Sequence, residues 1–411
     1  MYSDAQLEEW TNWKVNTSLL YDFVLRYTPE TPSISCAFAK GLREVDDTFV
    51  GQKVVTATSF EPVEKEKNYL LVSEVYLPRH MPVTADKDRT FKHLSGDLQG
   101  FTVENEPPQV TELQRIAHPW GEVNSVRLSP HKSSLAACSA PDGKVRVFDL
   151  PVLRTDASDS AEFVELAAHI EEAWSLDWNK YVEAQLLSCG KDFQVCLWDV
   201  ESPSKPFTAL AQFSEWPNEA VWITASQVVV GDEAGALSLF DLRRSTGAAA
   251  VFRPEIGALN CVASHPTRPH LVAAGGSKHM VIWDVRKQDY PVHSLWGHDL
   301  TSQLMRVQFH PTHEQYLVSA NTDGQVTMWD LSAIGKEQLP DDELDGPSEL
   351  MFTHSGHLSS VYDLCWNPEP AFDMMLLTTS ADSSVQAWQV PATTFGEESD
   401  LEIEDSNFAV E

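Results

Sequence analysis

The amino-acid sequence predicts an all-β fold, a seven-bladed β-propeller preceded by one α-helix, on three observations. Short strand-like runs that end in an aromatic residue plus Asp or Gln recur at intervals of roughly forty to sixty residues. Four of these runs carry an Asp six residues before the aromatic residue. A helical pattern of apolar residues comes before all of them. The six endings lie at 145–149, 195–199, 237–241, 281–284, 326–330 and 385–389.

A seventh blade is predicted from the residues that precede the first ending. Strand-like runs lie at 54–59, 69–76 and 97–103, and together they would supply one further blade. Because a ring of blades must join its first and last members, we expect residues 34–38 to complete the last blade.

Three of the predicted blades contain a repeated group of four polar and aromatic residues. A turn Asp six residues before the strand Trp is combined with a hydroxyl residue four positions earlier and an upstream His, whereas Asp142 lacks such a His. This arrangement resembles the WD-repeat tetrad, in which a buried His is held by Asp and hydroxyl partners. The alternative is a Ser–His–Asp hydrolase triad, but threefold repetition favours a structural role. The tetrads are His169, Ser188, Asp192 and Trp198; His298, Ser319, Asp323 and Trp329; and His357, Thr378, Asp382 and Trp388.

Composition and charge exclude several function classes. The sequence has 29 Lys and Arg against 61 Asp and Glu, a formal charge of −32, which repels phosphate backbones and anionic membranes and attracts cationic partners. Acidity that serves only solubility remains an alternative. The six cysteines are scattered in apolar runs without metal-ligand spacing, so we expect reduced thiols and no metal site. With no nucleotide-binding, nucleophile or metal motif, no cofactor and no catalysis are predicted.

An amphipathic helix is predicted over residues 1–30, before a propeller over 31–393. Apolar residues recur at three- and four-residue steps, and the pattern ends near Pro29. An acidic insertion at 335–349 is too long for a routine strand connection, and residues 394–411 form an acidic tail. The helical stripe comprises Trp10, Trp13, Thr17, Leu20, Phe23, Val24 and Tyr27.

Nearly the whole chain resembles the retinoblastoma-associated, Msi-type family of histone-binding WD-repeat proteins, which includes the small subunit of chromatin assembly factor. The resemblance rests on segments 13–25, 32–34, 96–101 and 121–124, and above all on the run from 331 through 357 into 366–368, which generic WD-repeat proteins lack. The chain is somewhat divergent: Ser348 stands where the family usually has a second Pro, which would loosen the loop.

The resemblance implies that a helix of histone H4 lies in a groove between the N-terminal helix and the acidic loop. Apolar residues would take the buried face of the guest helix, and carboxylates would meet its Lys and Arg. Arg26 departs from this expectation, because it places a cation close to a basic guest. The implied groove residues are Leu19, Leu20, Phe23, Phe352, Asp341, Asp342, Glu343 and Asp345.

A second site implied by the resemblance is the wide end of the central channel. There the family holds the basic tail of histone H3 or a similar repressor peptide. The residues carried over by position are Glu122, Glu172, Trp174, Glu219 and Asn260. This chain has Gln303, Met305 and Ala381 where the family has further acidic and aromatic residues, so we expect a weaker or differently selective site.

The predicted function is a non-enzymatic, histone-binding scaffold or chaperone subunit of chromatin complexes, located in the nucleus with room for a cytoplasmic pool. Its partners would be histones and the larger subunits of assembly, acetyltransferase, deacetylase or methyltransferase complexes, without direct contact to nucleic acid or membrane. One alternative is a substrate receptor of a cullin ubiquitin ligase, because 283–286 and 240–243 resemble the WDxR box. Another is an acidic ribosome-biogenesis chaperone, which usually lacks the N-terminal helix and loop.

Overall fold

The computed structural model describes most of the chain. The described residues are 4–30, 32–59, 68–79, 91–94, 97–101, 109–150, 162–203, 208–244, 247–277, 279–287, 289–297, 302–340, 342–344 and 346–395. Within these ranges, none of the helices is both long and apolar enough to cross a lipid bilayer.

The chain forms a seven-bladed β-propeller, and each blade is a four-stranded antiparallel sheet. The first three blades follow one another along the chain. Blade 1 contains β2 (Ser33–Glu44), β3 (Phe49–Thr58), β4 (Tyr69–Pro78) and β7 (Val110–Ala117); blade 2 contains β8 (Ser125–Leu128), β9 (Leu135–Ser139), β10 (Lys144–Asp149) and β11 (Glu162–Ala167); blade 3 contains β12 (Ala173–Trp178), β13 (Gln185–Gly190), β14 (Gln194–Asp199) and β15 (Thr208–Gln212).

The remaining blades continue the ring, and the last one borrows a strand from the N-terminus. Blade 4 contains β16 (Pro217–Thr224), β17 (Gln227–Asp232), β18 (Leu237–Asp241) and β19 (Ala250–Phe252); blade 5 contains β20 (Leu259–Ser264), β21 (Leu271–Gly276), β22 (Met280–Asp284) and β23 (His293–Leu295); blade 6 contains β24 (Leu304–Phe309), β25 (Tyr316–Asn321), β26 (Val326–Asp330) and β27 (Leu350–His354); blade 7 contains β28 (Val361–Trp366), β29 (Leu376–Ser380), β30 (Val385–Gln389) and β1 (Phe23–Tyr27).

The strand that closes the ring is not the one expected from the sequence. β1 pairs antiparallel with the edge of β30, with Phe23 opposite Gln389, whereas residues 34–38 belong to β2 of blade 1. The helix α1 (Asp4–Leu20) is therefore shorter than predicted, and Asp22 N–H already donates to Gln389 O at 2.9 Å. Closing the exposed edge of β30 satisfies backbone groups that a longer helix would leave unpaired.

A second difference concerns the predicted strand at 97–103. β6 (Asp97–Phe101) pairs with β5 (Phe91–Leu94) as a separate two-stranded ribbon, and β7 supplies the outer strand of blade 1 instead. Residues 102 and 103 lie outside the described residues.

The core consists of apolar layers between neighbouring blades. Five tryptophans are among its largest fully buried side chains: Trp198, Trp222, Trp283, Trp329 and Trp388. All six cysteines are free, and five of them are buried. Burial raises the pKa of Cys138 and of Cys196 to about 12, so these thiols stay protonated at neutral pH.

The polar tetrad of blade 3 is a continuous hydrogen-bond chain. His169 Nδ1 donates to Asp192 Oδ1 at 2.9 Å, and His169 Nε2 accepts the Ser188 hydroxyl at 2.7 Å. Ser188 Oγ accepts in turn from Trp198 Nε1 at 2.8 Å. These side chains are buried, so the chain locks strands β13 and β14 to the turn that joins them.

The other tetrads vary this arrangement. In blade 7, His357 Nε2 lies 2.8 Å from Thr378 Oγ1, but Ser384 Oγ stands between His357 Nδ1 and Asp382. In blade 6, Trp329 Nε1 donates to Ser319 Oγ at 2.9 Å, whereas His298 lies outside the described residues. In blade 2, the side chain of Arg146 holds Asp142 instead of a His.

Replacing Ser188 by Ala should lower the free energy of unfolding by about 2–4 kcal/mol, because His169 Nε2 and Trp198 Nε1 would lose a shared partner inside the core. Urea denaturation measures the effect. Replacing the exposed Ser133 by Ala should change stability by less than about 0.5 kcal/mol. Equal stability of the two variants would contradict a stabilising role for the tetrad.

Candidate functional site

A buried aromatic network attaches α1 to the propeller. Trp13 Nε1 donates to Tyr21 Oη at 2.8 Å, and the Tyr21 hydroxyl donates to His354 Nδ1 at 2.7 Å. Burial lowers the pKa of His354 well below its usual value, so this ring is neutral and can accept the bond. Trp10 Nε1 also donates to Gly356 O at 3.2 Å, which holds the helix against blades 6 and 7.

The opposite face of α1 is apolar and uncovered. Val15 and Leu19 are 70% and 73% exposed, and Leu20, at the end of the helix, is 36% exposed. Phe352 is half-buried, and its ring lies 5.4 Å from that of Tyr21, so it belongs to the same outer surface as the end of the helix. An exposed apolar face beside an aromatic ring can receive the apolar side of another helix.

The acidic loop leaves this surface after β26 and returns to it at β27. Ser348 Oγ donates to Ala333 O at 2.8 Å, and Gln338 Nε2 donates to Gly346 O at 3.1 Å, so side chains brace the base of the loop. Glu349 pairs with His293 at 2.7 Å. The predicted loosening by Ser348 is thus wrong, because its hydroxyl closes the loop with a bond that a Pro could not donate.

The predicted groove residues do not all lie on this surface. Leu19, Leu20 and Phe352 lie as described, and Glu343 is exposed on the loop. Asp341, Asp345 and the side chain of Asp342 lie outside the described residues.

Phe23 was wrongly placed in the groove. It is only 2% exposed and packs in the core beside blade 7, because it lies on β1 rather than on the helix. Arg26, on the same strand, does not face a guest either. Its side chain is 10% exposed, its guanidinium carbon lies 5.8 Å from the ring of Trp10, and it pairs with Asp382 at 3.9 Å.

The channel mouth is a polar cavity of about 380 Å³. Trp174, Glu219, Asn260 and Met305 line it. The predicted residues are partly engaged with one another's blades: Glu122 accepts from Ser59 Oγ, Glu172 from Asn124 Nδ2, and Asn260 donates to Leu304 O. Gln303 is exposed, and Ala381 N–H donates to Ser360 O.

Below the mouth, a cluster of ion pairs crosses the channel. Asp363 accepts from Arg127 Nη1 at 2.7 Å, from Arg306 Nε at 3.1 Å and from Ser35 Oγ at 2.6 Å. Arg306 also pairs with Glu219. Burial raises the pKa of Asp363, but the two guanidinium groups outweigh it and hold that pKa below its usual value. Glu219 is therefore neutralised from within the protein.

The sequence does carry a signal for this cluster, although we did not use it. Arg127, Glu219, Arg306 and Asp363 each stand at the third position of the first strand of a blade. A charge inside such an apolar strand must find a partner, and the first strands of all blades surround the channel.

The arginines of the WDxR-like segments close their own turns. Arg286 donates to both carboxylate oxygens of Asp284, at 2.9 and 2.7 Å, and Arg243 does the same with Asp241. The hydrogen bonds with Arg286 lower the pKa of Asp284 to about 2. A local structural role accounts for both arginines.

Comparisons with known proteins agree with this architecture. The WD40 model, described as "WD domain, G-beta repeat", matches residues 110–149, 252–284, 289–330 and 348–389, which defines the class as a WD-repeat β-propeller. A second model, which describes the histone-binding protein RBBP4 or its counterpart in the CAF1 complex, matches residues 8–79, from α1 through β4. A similar curated protein is "Histone acetyltransferase type B subunit 2" of Candida glabrata, 27% identical over 390 residues, which cover 93% of this chain and 88% of that protein. Within the WD-repeat class, the chain belongs to the histone-binding family that the second model describes.

Proposed function

We propose that the protein is a histone-binding scaffold subunit of chromatin complexes that performs no catalysis itself. The observation that carries this proposal is the uncovered apolar face of α1, held rigidly on the propeller beside Phe352. A rigid helix that exposes two leucines next to an aromatic ring is suited to hold the apolar face of an amphipathic guest helix. The family match over 8–79 supports a helix of histone H4 as that guest.

Charge supplies the second part of the proposal. The formal charge of −32 steers basic proteins toward the propeller, and the exposed Glu343 lies on the loop that borders the groove. Apolar contact would hold the guest, and the acidic loop would orient its Lys and Arg. The basic tail of histone H3 would occupy the channel mouth, where Glu172 and Trp174 lie near the rim.

The partners follow from such passive binding. A protein that holds histones without acting on them serves larger subunits that do, and the acetyltransferase subunit from Candida glabrata supports one such complex. The protein would then work in the nucleus.

Titration with a purified histone H3–H4 complex at increasing salt tests the function. Long-range steering fades as the Debye length falls from about 10 Å at 0.1 M to about 3 Å at 1 M. We therefore expect the affinity to fall by about tenfold between 0.1 and 0.5 M salt, yet a complex should persist because apolar contacts are not screened.

A small basic protein without an amphipathic helix, such as hen lysozyme, serves as the control. It should bind weakly at low salt and not at all at high salt. If the histone complex behaves like this control, the acidic surface acts as a general cation attractor and the specific groove is wrong.

A further inference from the structure

Two tryptophans form an aromatic corner on the rim of the channel. The rings of Trp174 and Trp216 lie 6.2 Å apart at 72°, and both line the cavity of about 380 Å³. Trp174 Nε1 donates to Pro217 O at 2.9 Å, and Glu233 N–H donates to Trp216 O at 2.9 Å, so the position of the corner is fixed from both sides. Trp216 nevertheless remains 38% exposed, although a Trp of a soluble protein is usually covered.

The surroundings of the corner favour a cation. Glu171, Glu215 and Glu233 are exposed near it along the chain, and Glu172 is half-buried. The ammonium group of Lys191 already lies 5.7 Å from the centre of the Trp216 ring, which shows that a cation is accommodated against this indole. Phe193 packs against the same ring at 6.4 Å.

The carboxylates deeper in the cavity offer little to a guest cation. Arg306 engages Glu219, and Asp363 is held by Arg127 and Arg306 together. A lysine or arginine side chain that entered this far would meet two guanidinium groups. A guest cation is therefore better placed at the rim, against the aromatic rings, than in the depth of the channel.

We propose that Trp174 and Trp216 bind a cationic side chain of a peptide by stacking, and that this contact tolerates methylation of the guest ammonium. This inference rests on the channel-mouth part of the proposed function. Cation–π attraction acts through the charge and not through N–H donors, so a trimethylated lysine keeps it. A carboxylate pocket that hydrogen-bonds an ammonium would instead lose its donors on trimethylation.

Calorimetric titration with three peptides of sequence Gly-Arg-Ala-Xaa-Ala-Arg-Gly tests the inference, with Xaa as lysine, trimethyllysine or the uncharged norleucine. The lysine and trimethyllysine peptides should bind within about threefold of each other, and the norleucine peptide about five- to thirtyfold more weakly. Trp216→Ala should weaken both cationic peptides to the level of the norleucine peptide. Trp296→Ala is the matched control, because Trp296 is 52% exposed but stacks on His279 outside the cavity.

A second measurement separates this inference from the function on which it rests. The tetramethylammonium ion alone, at millimolar concentration, should shift the NMR signal of the Trp216 indole and leave that of Trp296 unchanged. A shift without binding of any peptide would support the corner and overturn the channel-mouth function. Peptide binding without a shift, or a loss of binding on trimethylation, would overturn the corner and leave the channel-mouth function standing.

Discussion

Replacing Leu19 and Leu20 together by Lys should weaken binding of histone H3–H4 by about a hundredfold or more. Both leucines are exposed on the outer face of α1, where the guest helix would cover them. The change removes two apolar contacts of about 1.5–3 kcal/mol each and sets two cations against a basic guest. Because each 1.4 kcal/mol is a factor of ten, even half of the apolar loss gives about two powers of ten. Calorimetric titration at moderate salt measures the change.

The double variant should fold normally, which makes the result interpretable. Lys is a good helix former, and the buried face of α1 is untouched. The matched control is Tyr290→Lys with Val292→Lys, which adds the same charge at exposed apolar positions next to β23 in blade 5. We expect unchanged melting for both variants and lost binding for the first alone. Equal binding by the two variants would rule out the side groove. Phe23→Asp is unsuitable for this test, because it would place a charge in the core.

Much of the fold could be predicted because the repeats encode it redundantly. Each blade ending reports the same turn and the same strand, so an error in one blade does not change the architecture. The N-terminal boundary had no such redundancy. Phe23, Val24 and Tyr27 fit a helical step from Trp13 and Thr17, and the mostly apolar and aromatic run over 23–27 fits a strand equally well. Pairing with the open edge of β30 decided between the two.

The site was predicted less completely, for a related reason. The groove depends on neighbouring surfaces, and the resemblance supplied Leu19, Leu20 and Phe352. The channel depends on residues from several blades that no local pattern connects. Arg127, Glu219, Arg306 and Asp363 are spread along most of the chain, and only closure of the ring brings them together. Trp216 was missed because a single Trp before a strand gives no periodic signal.

Replacing Asp363 by Ala should lower the free energy of unfolding by about 3–5 kcal/mol. Its buried carboxylate accepts from groups on blades 1, 2 and 6 while it belongs to blade 7, so it joins both sides of the ring closure. Without it, Arg127 loses its carboxylate partner and Arg306 keeps only Glu219. Urea denaturation measures the loss, and the exposed Asp47→Ala is the control, with an expected change below about 0.5 kcal/mol.

The pH dependence gives the same prediction a sharper form. The pKa of Asp363 in the folded protein lies below its usual value, since Arg127 and Arg306 outweigh the effect of burial. Its contribution is therefore fully present above the unfolded value of about 4 and is lost as the pH falls through the lower, folded value. The stability difference between the wild-type protein and Asp363→Ala should be constant from neutral pH down to about 5 and should narrow below about 4. A difference that stays constant down to the acid transition would mean that the carboxylate acts through its shape and hydrogen bonds rather than through its charge, and the ion cluster would then not be what holds the ring closed.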